Sequence, residues 1–361
     1  MSSSLSTFNF KVIMMKKFML SVLWFLLPII ILNLFTFKFY NNPEGGDLLR
    51  LGYIIDLYPN YRDIFSKEFE NKIYYTQISE KPKTTKFEVL TIGDSFSEQD
   101  SFGYKNYLAK NKKILHIDRF LSDNQIQTLY SLLKGDFFEQ YNFQYVILQN
   151  VERNFISNSK KFDANKVITC DKLYDLIDLD KVKDKVEFNR FKFPSNSIFK
   201  FPYFTCKYYS EKTFLFDQMV YKTEMSQNFF SVDNKELLFL KNDLAAIENN
   251  NTKENVEELN KILNDISNLL KKKGIKLIVL PAPDKYDVYY DFILDKTLFP
   301  KPLFFDHLKE MHKEYIYIDS KSVISSNLNR KKDLYFYDDT HWSPWTSKII
   351  AEEIEKKMNS N

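Results

Sequence analysis

Apolar residues along this chain follow two rhythms. Five short, nearly unbroken runs lie at 87–92 (Val89, Leu90 and Ile92), 113–117 (KILHI), 145–148 (YVIL), 275–280 (IKLIVL) and 315–318. Runs of this length, rich in Val, Ile and Leu, predict strands buried on both faces. Between them, apolar residues recur every three or four positions, which predicts helices at 101–110, 122–134, 252–273, 301–313 and 344–358. The clearest is 252–273, where Val256, Leu259, Ile262, Leu263, Ile266, Leu269 and Leu270 form one core-facing stripe that Gly274 ends. The helix at 122–134 reads as capped by Ser122 or Asp123 and closed by Gly135, and Pro344 suits a first helical turn. Strands alternating with helices predict an α/β fold, doubly wound around a mostly parallel sheet.

The alternation fails in two places. NNPEGG at 41–46 is a turn-rich linker, and 47–86 has no clear period and is expected to pack around the domain edge. The stretch 154–240, rich in Lys, Phe and Tyr, is expected to be an insertion, a cap or a substrate-contacting subdomain. Before both lies 18–37, an uncharged apolar run long enough to cross a bilayer, preceded by Lys11, Lys16 and Lys17. Positive charge on that side places the N-terminus in the cytoplasm and the bulk of the chain outside. No small-x-small site follows the run, and it exceeds an ordinary signal-peptide core, so an uncleaved signal anchor is expected over a cleaved signal. Pro28 within it is tolerable in a membrane helix. The organisation expected is thus a cytoplasmic tail at 1–17, a transmembrane anchor at 18–38, a linker and edge segment at 39–86, and a catalytic-looking α/β domain at 87–361.

Composition narrows the function classes. The chain has 361 residues, enough for a sizeable core, and a formal net charge of +3 gives nucleic acid no strongly basic surface to bind. Aromatics reach 17%, and Tyr and Phe suit sugar-stacking platforms, but their rise together with Lys, Asn and Ile points to a general residue bias. The two cysteines, Cys170 and Cys206, fall on the expected outer side, where one disulfide is permitted and two buried thiols are the alternative. Neither spacing nor neighbours suggest a metal site, and no cofactor is implied.

The candidate chemistry starts at FEVLTIGDSFS, 87–97, where a buried strand ends in Gly93-Asp94-Ser95. Gly93 is expected to let the backbone turn sharply, leaving Ser95 at a strand's carboxyl end, where open α/β sheets bind ligands. A serine nucleophile needs an imidazole to take its proton and a carboxylate to hold the imidazole's tautomer. YDDTHW at 337–342 offers His341, with Asp339 or Asp338 as the carboxylate a few residues before it. Of the other three histidines, His116 sits within a strand and reads as core, while His307 and His312 lie on a predicted helix. Oxyanion stabilisation would come from the Ser95 backbone N–H and a donor after the third strand, Gln149 or Asn150.

Gly93-Asp94-Ser95 with a late Asp-x-x-His resembles the pattern of the SGNH (GDSL) hydrolase superfamily. With VERNF at 151–155, LIVLPAPDKYDVY at 277–289 and YDDTHWSPW at 337–345, the chain looks similar to the SGNH-like domains of alginate O-acetyltransferases and related polysaccharide acetylation proteins. The resemblance implies a three-layer SGNH-like domain in which Ser95 takes the acyl group and His341 is the general base. In the acetyltransferase motif the carboxylate stands two before the histidine, which selects Asp339; in the wider superfamily it stands three before, at Asp338. Arg153 and Lys285 match polar positions of the group and would position substrate, with a salt bridge or helix cap as the alternative. Two departures stand out. The Asp-x-His motif here follows the serine motif, and the superfamily's later glycine and Gly-x-Asn blocks are not cleanly present, Gly103 being the nearest glycine.

The function expected is a membrane-anchored SGNH-type O-acetyltransferase acting on a cell-surface or exported polysaccharide through an acyl-serine. It would sit in an inner membrane with its main domain on the periplasmic side, and an integral membrane O-acyltransferase would supply the acetyl group. The alternatives are a carbohydrate esterase on the same fold, or a non-catalytic glycan-binding or assembly protein.

Overall fold

The computed structural model describes residues 2–40, 46–119, 124–184, 197–216, 219–232 and 235–360. Strands β1 (Thr76–Gln77), β2 (Val89–Ile92), β3 (Ile114–Ile117) and β4 (Tyr145–Val151) come first in the chain. Three strands of a second, antiparallel sheet follow: β5 (Phe214–Phe216), β6 (Val220–Glu224) and β7 (Glu236–Leu240). Strands β8 (Lys276–Ala282) and β9 (Ile316–Tyr317) complete the main sheet, whose order is β1-β3-β2-β4-β8-β9 with every pairing parallel. The chain leaves β2 toward one edge and returns at β4 on the other side. This reversal opens a crevice at the carboxyl ends of β2 and β4.

The sheet is buried on both faces, and the period-two alternation of its strands shows how. Val89, Ile147, Ile278 and Leu280 join one core, with Tyr104, Leu108, Ile350 and Ile354. Their neighbours Leu90, Val146, Leu148, Leu277 and Val279 join the other, with Ile126, Leu129, Leu259 and Leu263. Helices on both sides of a parallel sheet make a three-layer α/β domain. The helix Pro344–Asn359 covers the first face, while Gln125–Lys134 and Lys253–Lys271 cover the second.

Local details refine the expected elements. Helix Lys253–Lys271 takes its N-cap from Thr252, whose side chain accepts from the Asn255 N–H, and Gly274 beyond its end has φ +76°. Its stripe is buried at Val256, Leu259, Leu263, Ile266 and Leu270, whereas Ile262 and Leu269 are only partly covered and line a surface hollow beside Tyr130 and Phe162. Helix Gln125–Lys134 is capped by Asn124, which accepts from the Gln127 N–H; Ser122 and Asp123 lie outside the described residues. The helix expected over 301–313 is shorter, Phe304–Glu310, so His307 is on it and His312 follows it.

Several described residues of the stretch 154–240 share a core with the rest of the domain. Phe204, Tyr208, Phe216, Phe230 and Leu237 pack into the same core as Tyr286 and Tyr337. The two cysteines are free, Cys170 buried and Cys206 exposed on helix Ser197–Ser210. The N-terminal helix Ser2–Tyr40 contains one segment, Val12–Thr36, long and apolar enough to cross a membrane, with mean hydropathy 2.4.

The two stripe positions give a direct test of this packing. Leu263→Ala empties a fully buried site and should cost about 2–5 kcal/mol, whereas Ile262→Ala should cost clearly less because its side chain already meets solvent. Guanidinium unfolding followed by tryptophan fluorescence measures both, and equal losses would contradict the burial difference.

Candidate active site

Ser95 lies within the turn that follows β2, which the Ser97 N–H closes by donating to the Asp94 carbonyl at 2.8 Å, at the mouth of the crevice. Gly93 is required there, but not for an unusual φ: a Cβ at this position would lie 2.0 Å from the Ser97 Oγ and 2.6 Å from the Gln149 Oε1. The turn therefore needs a residue without a side chain because two polar groups press against its backbone. Asp94 fixes the turn to the neighbouring strand. One of its carboxylate oxygens accepts from the Phe96 N–H at 3.0 Å, the other from the Val151 N–H at 2.6 Å. Ser95 itself stays partly exposed.

His341 reaches Ser95 from a hairpin-like loop 246 positions downstream. The loop is closed by a bridge between Tyr335 and Trp342 and by the Phe336 N–H donating to the His341 carbonyl. The imidazole Nε2 lies 2.7 Å from the Ser95 Oγ, and Nδ1 lies 2.5 Å from the Asp339 Oδ1. An ionised Asp339 accepts from Nδ1–H, which leaves Nε2 as the acceptor for the serine hydroxyl. The Phe96 ring lies 4.8 Å from the imidazole, and Trp342 meets Phe96 edge-on, so aromatic packing joins the serine turn to the histidine loop.

Of the two aspartates before the histidine, Asp339 bonds the imidazole and Asp338 does not. The Asp338 carboxylate takes both Nε and a terminal nitrogen of Arg62, at 3.3 and 3.0 Å, together with the Gly46 N–H. Arg62 also reaches the second oxygen of Asp339 at 2.9 Å, which further accepts from the Asp47 N–H. Asp47 in turn receives the N–H and hydroxyl of Thr340. Lys285, fully buried, donates its ammonium to the carbonyls of Phe336, Tyr337 and Asp339. It holds the loop's backbone and does not face the crevice.

The electrostatics follow from this packing. Burial works to raise the Asp339 pKa, but the charge and hydrogen bond of His341 and the charge of Arg62 outweigh it and hold the carboxyl well below its ordinary range. Burial works against a charged His341, yet Asp339 outweighs it and the imidazole pKa rises. Asp47 is pushed up to about 6 by burial and then by the Asp339 charge. Burial lowers Lys285 to about 7. Ligand atoms of Asp47, Asp339 and His341 lie within 4.8 Å of one another, a spacing a metal ion could bridge. They are already engaged, Asp47 with Thr340 and His341 with Asp339 and Ser95.

The remaining sequence candidates take other positions. Gln149 is fully buried, and its carbonyl oxygen accepts from the Asp94 N–H and the Ser97 hydroxyl. Asn150, also fully buried, donates to Gln125. The Gln149 amide nitrogen and the Asn150 carbonyl oxygen are buried without a hydrogen-bond partner among the described residues. Arg153 is slightly exposed and pairs with Asp284 and Asp243, and its charge is felt at His341. Arg62, Asp47 and Gly46 escaped sequence reading, because no spacing or repeat marks them in the segment 39–86.

Residues 235–361 match the family described as SGNH hydrolase-like domain, acetyltransferase AlgX. The matched stretch runs through β8 and Lys285 and contains the whole Asp338–His341 loop, whereas Ser95 precedes it. No curated protein matches the chain. Taken with the parallel three-layer sheet, the match gives the chain an SGNH-like α/β fold in which residues 235–361 are similar to the SGNH hydrolase-like domain of that family.

Proposed function

We propose that the chain is a membrane-anchored, serine-dependent O-acyltransferase that moves an acyl group onto a polysaccharide outside the cytoplasm. The observation that carries this reading is the hydrogen-bonded series Ser95 Oγ, His341 Nε2, His341 Nδ1, Asp339 Oδ1. Its order and lengths are those a nucleophile, a general base and an orienting carboxylate require. The match to an acetyltransferase family supports acetyl as the group, and the exported glycan acceptor rests on the resemblance of the sequence motifs to polysaccharide acetylation proteins. The segment Val12–Thr36, with Lys11 just before it and Lys16 and Lys17 near its start, supports an anchor that leaves the domain on the outer, periplasmic side of an inner membrane.

The reaction runs in two halves. In the first, His341 takes the Ser95 proton as Oγ attacks the ester carbonyl of the donor. The tetrahedral oxyanion is met by the Ser95 backbone N–H and by the positive potential of Arg153, and the donor's alcohol leaves with the proton from His341. In the second, the acceptor sugar hydroxyl gives its proton to His341 and attacks acyl-Ser95, and Ser95 regains the proton when the bond breaks. An integral membrane acyltransferase is the fitting upstream donor. Water in place of the sugar hydroxyl turns the same steps into ester hydrolysis, so this chemistry is shared with an esterase.

Full-length protein incubated with p-nitrophenyl acetate should carry an acetyl group on the Ser95 peptide, read by mass spectrometry. Ser95→Ala should lose the adduct and release p-nitrophenol at least about a thousandfold more slowly. An adduct elsewhere, or unchanged turnover in His341→Ala, would sink the reading. The base must be neutral to act, and its pKa is raised, so kcat/KM should fall as pH drops through a value above the ordinary 6.5 of histidine. A pH profile flat between 6 and 8 would contradict the Asp339–His341 pairing.

Arg62→Ala tests a positioning residue. Removing its charge should lower kcat by about tenfold or more and move the acid limb of the profile to higher pH, because Asp339 then holds the imidazolium more strongly. Arg62→Lys keeps a charge but not the fork that spans both aspartates, so it should restore the limb better than the rate. A loss of protein yield with an unshifted limb would reduce Arg62 to a purely structural contact.

A further inference from the structure

Helix Ser197–Ser210 is apolar on two sides. Its inner face, Ile198, Phe201, Phe204 and Tyr208, is buried in the domain. The opposite stripe, at spacings of three and four, is Phe199, Pro202, Tyr203, Cys206 and Tyr209, with Phe199 70%, Tyr203 55% and Tyr209 73% exposed. A surface helix in water ordinarily turns charge outward, and this one turns aromatics. Lys200 and Lys207 flank the stripe.

The location of this helix says what covers it. It packs against the N-terminal helix Ser2–Tyr40, within which Asn33 and Thr36 are buried while side chains such as Phe18, Trp24, Phe25 and Ile31 are exposed. Counted from Lys17 at 1.5 Å per residue, a hydrocarbon layer of about 30 Å ends near Phe37. Asn33 and Thr36 therefore fall in the last turns before the outer boundary, and helix Ser197–Ser210 meets the span there. Aromatic rings flanked by lysines are the composition favoured at the headgroup layer.

We infer that the outward stripe of helix Ser197–Ser210 lies in the headgroup layer of the outer leaflet, so that the domain rests on the bilayer its N-terminal helix crosses. The claim rests on the reading of Val12–Thr36 as a membrane span. Its consequence concerns the site. Only residues 41–45 separate the end of the N-terminal helix at Tyr40 from Gly46, whose N–H is bonded to Asp338. Six extended steps reach at most about 21 Å. The His341 loop is thus held near the lipid surface, where an acyl donor or acceptor carried by the membrane would meet Ser95.

Cys206, exposed within the stripe, is the natural probe, since Cys170 is buried. Full-length protein labelled at Cys206 with nitrobenzoxadiazole is reconstituted into mixed phosphatidylcholine and phosphatidylglycerol vesicles. A nitroxide on the upper acyl chain should quench it at least about threefold more than aqueous iodide does, with blue-shifted emission. Phe199→Glu combined with Tyr209→Glu should reverse that preference, and both side chains are exposed enough for the fold to tolerate the change. A label at Phe25→Cys in a Cys206→Ser background reports the span separately. If it answers to lipid while Cys206 answers to iodide, docking is overturned and the anchor stands. If the Phe25 position answers to iodide, both fall. Protection of Cys206 from both quenchers means a protein surface covers the stripe, which also overturns the claim.

Discussion

The site depends on keeping an ionised carboxylate buried beside a histidine. Asp339 has little water around it, and a charge in that position persists only if the protein replaces the lost solvation. It does so with four donors: the imidazole and backbone N–H of His341 on one oxygen, and Arg62 with the Asp47 N–H on the other. A buried charge with one partner removed is strongly destabilising, so these contacts are mutually dependent. Asp338 beside it would add repulsion, and the same guanidinium bridges both, which is why two adjacent aspartates can be buried at one arginine.

The backbone of the loop needs its own support, because a hairpin-like turn leaves carbonyls without strand partners. Lys285 takes three of them with one ammonium. The Tyr61 hydroxyl accepts from the Tyr337 N–H and donates to Asp333. Tyr208, from the segment read as an insertion, meets the Tyr337 hydroxyl and Glu236. Pieces from the first, middle and last thirds of the chain thus hold one short loop in register with a serine on the sheet.

The sequence exposed what is local and hid what is not. The β-strands that carry Ser95 and the crevice were readable because a doubly buried strand is a continuous apolar run, and helix Lys253–Lys271 because its stripe, Thr252 cap and Gly274 lie within one window. Asp339 and His341 were readable because two residues suffice to place carboxylate and imidazole on one turn. Arg62 was not, since its partners lie 276 and 277 positions away and nothing near it in the chain refers to them. Gln149 and Lys285 were visible as polar residues at strand ends, but the sequence does not say which way such a side chain turns. Both turn inward, to secure backbone and hydroxyl groups. Gly93 was right as a residue and wrong as a reason: crowding by Ser97 and Gln149 excludes a side chain where a strained turn was expected.

Gly46 and Asp47 join the two ends of this design. They are the first described residues after the N-terminal helix, and they bond Asp338, Asp339 and Thr340, some 292 positions later. A Cβ on residue 46 would lie 1.9 Å from the Asp338 carbonyl oxygen, so the backbone there is pressed directly onto the histidine loop. A segment that only tethered the domain would have no reason to make such contact. Because it does, the path from the apolar helix to the domain is also part of the frame that orients His341. Cutting or lengthening the chain at 41–45 would therefore disturb the set of hydrogen bonds that holds Asp339 ionised. That coupling explains why a stretch with no periodicity of its own carries Asp47 and Arg62, the groups on which the imidazole's position depends.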